Sequence, residues 1–258
     1  MVGVSLITGA ARGMGRAIAL RLAKDGFNVA INDLEASSVE LEKVQKEIEK
    51  MGRKSIVITA DISVGKSVEE MMQKTAQQLG RLDVVVANAG ICKLQSLISM
   101  SEENWDRVFA VNMRGVFLCY REAAKIMIKQ GTGGRIIGAC SSAGYTGYPL
   151  LSHYCATKWG VRGLTQSAAM ELAAHKITVN TYCPGFIETP LTDGTNKELA
   201  ELQGKTIEEV KKDFVNGIPL GRTGRPHDVA NLVSFLASKQ ADYITGQNIL
   251  VNGGLVLS

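Results

Sequence analysis

Short, apolar, β-branched runs recur at 4–8, 28–32, 55–59, 83–87, 135–140, 178–183 and 248–251, separated by longer stretches whose apolar residues return every three or four positions. The short runs are too continuously apolar to alternate, the pattern of strands covered on both faces. The longer stretches predict helices over 13–24, 37–51, 64–79, 102–130, 152–174 and 226–238. Strand and helix alternating this way predict βαβ units, and hence an α/β fold: a doubly wound, mostly parallel sheet of about seven strands with helices on both faces. One segment breaks the rhythm. Residues 184–221 are polar, lack a clear strand and carry a helical pattern only near 207–215. An insertion of that length in a compact fold reads as a lid or substrate loop. The chain shows no repeat, low-complexity tract or linker, so one domain over 1–258 is expected.

Composition narrows the classes. The 29 basic and 25 acidic residues give a formal charge of +4 without any basic block, so nucleic acid is not expected as a partner. No basic leader precedes the first apolar run, and no apolar run approaches the roughly 20 residues of a membrane-spanning helix. A cytoplasmic protein without a membrane partner is expected. Cys92, Cys119, Cys140, Cys155 and Cys183 have no Cys-x-x-Cys spacing and are odd in number, which suits free thiols. The histidines His153, His175 and His227 form no ligand spacing with cysteine or carboxylate, so no metal is expected.

The first strand runs into Gly9-Ala10-Ala11-Arg12-Gly13-Met14-Gly15 and then into a helix. Glycines at such a turn let a pyrophosphate approach the helix N-terminus, whose free N–H groups and dipole favour an anion. Alone the triplet is only a tight turn. The strand before, the helix after and Asp33 closing the next strand together favour dinucleotide binding. Asp33 would accept hydrogen bonds from ribose hydroxyls and repel a further phosphate, which predicts NAD, with NADP as the alternative. Arg12 stands on the other side of that choice: it is either a partner for a 2′-phosphate or a solvated arginine at a helix start.

Tyr154 and Lys158 are spaced i,i+4 on a predicted helix and share a face. A phenol near pKa 10 is a poor base at neutral pH, and a neighbouring cation would depress it into useful acid/base range. Ser141 follows a strand and would stand at the carboxyl edge of the sheet, where its hydroxyl could orient a carbonyl or merely turn the chain.

Through Thr8-Gly9-x-x-x-Gly13-x-Gly15, Asn88-Ala89-Gly90, Asn112, Ser141, Tyr154-x-x-x-Lys158 and Pro184-Gly185, the sequence resembles the short-chain dehydrogenase/reductase family over nearly its whole length. The resemblance implies a Rossmann-like sheet, with Tyr154 as acid/base, Ser141 holding the substrate oxygen, Lys158 binding the nicotinamide ribose and Asn112 supporting a water-linked proton path. It places Asp61 and Ile62 at the adenine, Met14 in the phosphate turn, Asn88, Ala89 and Gly90 beside the adenosine ribose, and Pro184 to Thr189, with Gly185 and Ile187, along the nicotinamide. It also implies a homotetramer. Two positions depart from the family pattern: Ala87 stands where a first asparagine is frequent, and Asn252 where aspartate usually precedes the C-terminal glycine pair. Asn112 can also be read as a helix-interior asparagine that bends or caps.

Within the family, 158–166, the stretch from Gly204 through Arg222, and 242–247 are similar to acetoin/diacetyl reductases and 2,3-butanediol dehydrogenases. The expected activity is hydride transfer between a nicotinamide cofactor and a small ketone/secondary-alcohol pair. The alternatives are a sugar, polyol, ketoacyl or steroid reductase, or a non-catalytic dinucleotide sensor. Ala143, Tyr148, His153, Phe186 and Ile187 would shape the pocket, with His153 either donating to a second substrate oxygen or, the favoured reading, facing solvent at a helix start.

Overall fold

The computed structural model describes residues 2–257. Among them, β1 (Val4–Thr8), β2 (Asn28–Asp33), β3 (Ser55–Thr59), β4 (Val84–Ala87), β5 (Gly134–Ala139), β6 (Ile177–Pro184) and β7 (Asn248–Val251) form one parallel sheet in the order β3-β2-β1-β4-β5-β6-β7. Strand side chains alternate between faces. Leu6, Ala30, Val85, Ile136 and Val179 pack with α3 (Gly65–Leu79), α5 (Gly115–Gln130) and α6 (Ser152–Leu172). Ile7, Val29, Ile31, Val86, Ile137 and Tyr182 face α1 (Gly13–Lys24), α2 (Ser38–Lys50) and α9 (Pro226–Ala237). Each large apolar side chain buried this way contributes about 1.5–3 kcal/mol. A one-residue slip in register would swap every strand side chain to the wrong layer, so the two cores fix the pairing.

Chain direction across the sheet reverses between β1 and β4, which pair through Ser5 with Val84 and Ile7 with Val86. In sheets of this kind a crevice opens above the carboxyl ends of the strands at that reversal.

The structure refines two sequence expectations. The helix expected over 102–130 is α4 (Glu102–Phe109) and α5 joined through a π-helical turn at Ala110–Arg114, centred on Asn112. Such a turn is an extra residue accommodated in a helix and is frequent at functional sites. Hydrophobic periodicity does not register it. The second refinement is in 184–221, where α7 (Pro190–Gln203) precedes α8 (Ile207–Asn216). Only α8 was legible as a helix, because α7 carries Asp193 and Gly194 in its interior and buries only Asn196 and Ala200. Its boundaries are nonetheless written locally, with Thr189 capping it, Pro190 in its first turn and Gly204 ending it at φ +63°. Among the described residues, no helix is long and apolar enough to cross a membrane.

Candidate active site

A cleft of about 440 Å³ lies above β1, β4 and β5. Its floor begins at the glycine turn. Gly9 and Gly13 have φ of +65° and +57°, and a Cβ at Gly15 would lie 2.0 Å from the Gly9 carbonyl oxygen. Only glycine closes a turn this tight. The N-cap residue of α1, Arg12, makes no side-chain cap, so the first N–H groups of that helix are left for something else. The Asp33 carboxylate accepts from the Ala11 N–H at 3.2 Å and the Leu34 N–H at 2.9 Å, tying the end of β2 to the turn.

Thr8 and Asn88 join the ends of β1 and β4. Thr8 Oγ1 accepts from the N–H groups of Asn88 and Ala89, both at 3.0 Å. Asn88 Nδ2 donates to Thr8 O at 2.8 Å, and its Oδ1 accepts from the Tyr182 hydroxyl at 2.7 Å. Tyr182 is a support that sequence reasoning missed, since a tyrosine in an apolar strand reads as core. Asp61 and Ile62 line the far end of the cleft, together with Arg107. Burial raises the Asp61 carboxyl, but the Ser63 hydroxyl at 2.7 Å and N–H at 2.8 Å, with Arg107 behind them, outweigh it and hold the group below the usual carboxylate range. Arg107 gave no local signal. It reaches the cleft from α4, which packs against the π turn and α6.

At the opposite end stand Tyr154 and Lys158, one turn apart on α6. Lys158 Nζ donates to the Ala139 carbonyl at 2.8 Å and lies 5.4 Å from the centre of the Tyr154 ring. Burial pushes the Lys158 ammonium down, against the pull of neighbouring thiols. Burial pushes the Tyr154 phenol well up, with the Cys92 thiol adding to it and a hydrogen bond with Ser141 opposing it. This corrects the expectation of a phenol depressed by Lys158. The i,i+4 spacing brings the two side chains together, yet one ammonium N–H goes to a backbone carbonyl and desolvation of the phenol outweighs the neighbouring charge. Ser141 Oγ also accepts from the Ala143 N–H at 3.1 Å.

Asn112 is fully buried behind this wall. Its Oδ1 accepts from the Ile91 N–H at 2.9 Å and its Nδ2 donates to the Ile91 carbonyl at 2.8 Å, so the amide fastens the chain leaving β4 to the π turn.

Gly9, Arg12, Gly13, Met14, Gly15, Asp33, Asp61, Ile62, Asn88, Ala89, Gly90, Tyr154, Lys158, Pro184 and Thr189 all line the cleft. Gly185 and Ile187 do not: Gly185 donates to Val251 O, and Ile187 is buried against Gly224. His153 is corrected too. It is fully buried with neither ring nitrogen hydrogen-bonded, and burial pushes its pKa down. Helix packing turns it inward, which its place beside Tyr154 could not reveal. Sequence reasoning also missed Cys92, Leu191, Thr195 and Glu198, which line the cleft from the loop after β4 and from α7.

A sheet in this order with this cleft is that of a dinucleotide-binding α/β protein, and comparison with known proteins gives the reaction class. A family model described as enoyl-(acyl carrier protein) reductase matches residues 9–256. A short-chain dehydrogenase/reductase of Armillaria gallica is 50% identical over 253 residues, covering 98% of this chain and 95% of the relative. A diacetyl reductase [(S)-acetoin forming] of Staphylococcus epidermidis is 44% identical over 253 residues, covering 98% of each. The crystal structure of acetoin dehydrogenase YohF from Salmonella typhimurium superposes with a TM-score of 0.86 at 36% identity, over 99% of this chain and 96% of that one. The chain belongs to the short-chain dehydrogenase/reductase family, whose members are NAD(P)-dependent oxidoreductases. The residues present fit such a cofactor: the turn that a Cβ at Gly15 would fill, the uncapped start of α1 and the Asp33 carboxylate are the parts a pyrophosphate and a ribose require.

Proposed function

We propose that the protein is an NADH-dependent reductase of small vicinal diketones and hydroxyketones, of the acetoin/diacetyl type, and equally the dehydrogenase of the corresponding diols. The reading is carried by Tyr154 and Lys158 at one end of a dinucleotide-shaped cleft, with Ser141 hydrogen-bonded to Tyr154 just outside its lining, in a chain alike end to end to a diacetyl reductase. The bound nicotinamide cofactor supplies or accepts the hydride. The chain does the rest. The glycine turn and the N-terminus of α1 hold the pyrophosphate, Asp33 accepts from the ribose hydroxyls, and Lys158, Pro184 and Thr189 fix the other end. Ser141 donates to the carbonyl oxygen and orients it. Tyr154 donates its proton to that oxygen as the carbonyl carbon is reduced, giving the alcohol. Asn112 is a positioning residue that keeps Ile91 and the loop after β4 in place.

The 184–221 segment acts as the lid, with Phe186 stacked on Phe214 of α8 at 3.9 Å between ring centres. Exposed Phe117 on α5 with Trp159 and Met170 on α6 support a homotetramer, and buried free thiols support a cytoplasmic location.

Initial rates with NADH and NADPH against diacetyl, acetoin, a sugar ketone and an acetoacetyl thioester test the substrate and cofactor. Highest kcat/KM with NADH and diacetyl or acetoin is expected. Preference for the thioester or for NADPH overturns the corresponding half. Tyr154→Phe is expected to keep NADH binding and lower turnover about 10²–10⁴-fold. Substantial residual turnover in that variant removes the acid from Tyr154.

A further inference from the structure

Glu198 is a charged side chain in the cleft that the reaction as derived leaves unused. It projects from α7 and lines the cleft at the end occupied by Tyr154, Lys158 and Cys92. The other acids lining the cleft, Asp33 and Asp61, belong to the glycine-turn and Arg107 end. Glu198 Oε2 accepts from the Leu94 N–H at 3.0 Å, clasping α7 to the loop after β4. Its second oxygen has no hydrogen-bond partner among the described residues.

Glu198 stands close enough to the Cys92 thiol to act on it electrostatically, and that thiol in turn acts on Tyr154. Burial pushes Cys92 up to about 12, so the group beside Glu198 is a neutral thiol and not a competing anion. The same end of the cleft therefore holds the Tyr154 phenol, hydrogen-bonded with Ser141 and suited to a carbonyl oxygen, and a carboxylate oxygen that can only accept.

We propose that Glu198 is a specificity-determining residue, accepting a hydrogen bond from a substrate hydroxyl on the carbon next to the reacting one. A vicinal hydroxyketone or diol supplies both groups, whereas a simple ketone, a secondary alcohol or a diketone leaves the carboxylate oxygen without a donor, so within the proposed substrate class acetoin is favoured over diacetyl. Glu198 is half-buried, so discrimination comes from the charge-assisted hydrogen bond that only a hydroxyl-bearing substrate can donate to it, against water for an analogue that lacks one. This deepens the functional reading above and rests on it.

The test measures kcat/KM for butane-2,3-diol and for butan-2-ol with NAD⁺ in the full-length protein and in Glu198→Gln and Glu198→Ala. Glutamine retains a carbonyl acceptor for Leu94, so it separates the clasp from substrate recognition. The expected result is a wild-type preference for the diol whose ratio falls about tenfold in both variants, largely through KM. An unchanged ratio, whether both alcohols lose activity equally or neither does, makes Glu198 a lid clasp only and overturns the proposal. A wild-type enzyme that oxidises neither alcohol but reduces a sugar ketone or thioester overturns the substrate reading itself. A ratio unchanged in an enzyme that does prefer the diol overturns only the role of Glu198.

Discussion

Helix α1 and the pair α7 and α8 begin in opposite ways. Helix α1 starts at Arg12 with no side-chain cap, buries five of its residues between sheet and neighbours, and turns its free N–H groups to the cleft. Helices α7 and α8 bury little, yet each is capped by a threonine: Thr189 accepts from Thr192 N–H, and Thr206 forms a reciprocal box with Glu209. A helix held by its core can leave its first turn open to a ligand. One without a core satisfies its own end. The same contrast runs through the glycines. A Cβ at Gly15 would collide with backbone, whereas one at Gly194 in α7 meets nothing within 4 Å.

The sharpest way to break the comparison is Gly15→Ala. Overpacking of this kind costs about 1–3 kcal/mol, and here it falls on the pyrophosphate turn. NADH affinity, read by fluorescence titration, is expected to drop by up to roughly 100-fold. Affinity within twofold of wild type would mean that α1 does not hold the cofactor. Asp33→Ser comes next. Removing the carboxylate takes away a charged acceptor worth about 1.5–3 kcal/mol, so the NADH over NADPH preference in kcat/KM is expected to fall about tenfold or more. A constant ratio would assign the choice elsewhere, Arg12 being the nearest candidate. The smallest effect belongs to the self-capped helices. Thr206→Ala removes one half of the box and should cost about 1 kcal/mol, seen as faster amide exchange in α8 with NADH affinity unchanged. Loss of NADH affinity in that variant would join the two regions that the caps separate.

Much of this was legible in the chain because it is written in local terms. The strand runs, the glycine turn, Asp33 and the Tyr154 to Lys158 spacing each depend on residues close in sequence. Glu198, Arg107, Cys92 and Tyr182 were not legible, because each acquires its role from partners far along the chain: Glu198 from Leu94, Arg107 from Asp61 and Tyr182 from Asn88. His153 was misplaced for the same reason. One position along α6 turns a side chain by about 100°, and only the packed sheet decides which direction is inside.

By itself the sequence determined the α/β class, the strand and helix succession, the turn where glycine alone fits and the placing of Tyr154 and Lys158 on one helix face, since periodicity and backbone sterics act over a few residues. The tertiary structure alone decided the direction in which the Tyr154 phenol shifts, because desolvation belongs to the assembled cleft. It also decided the π turn that seats Asn112, and the carboxylate that α7 brings across from the loop after β4. Those depend on burial and on distances between segments, and neither exists until the sheet has closed its layers.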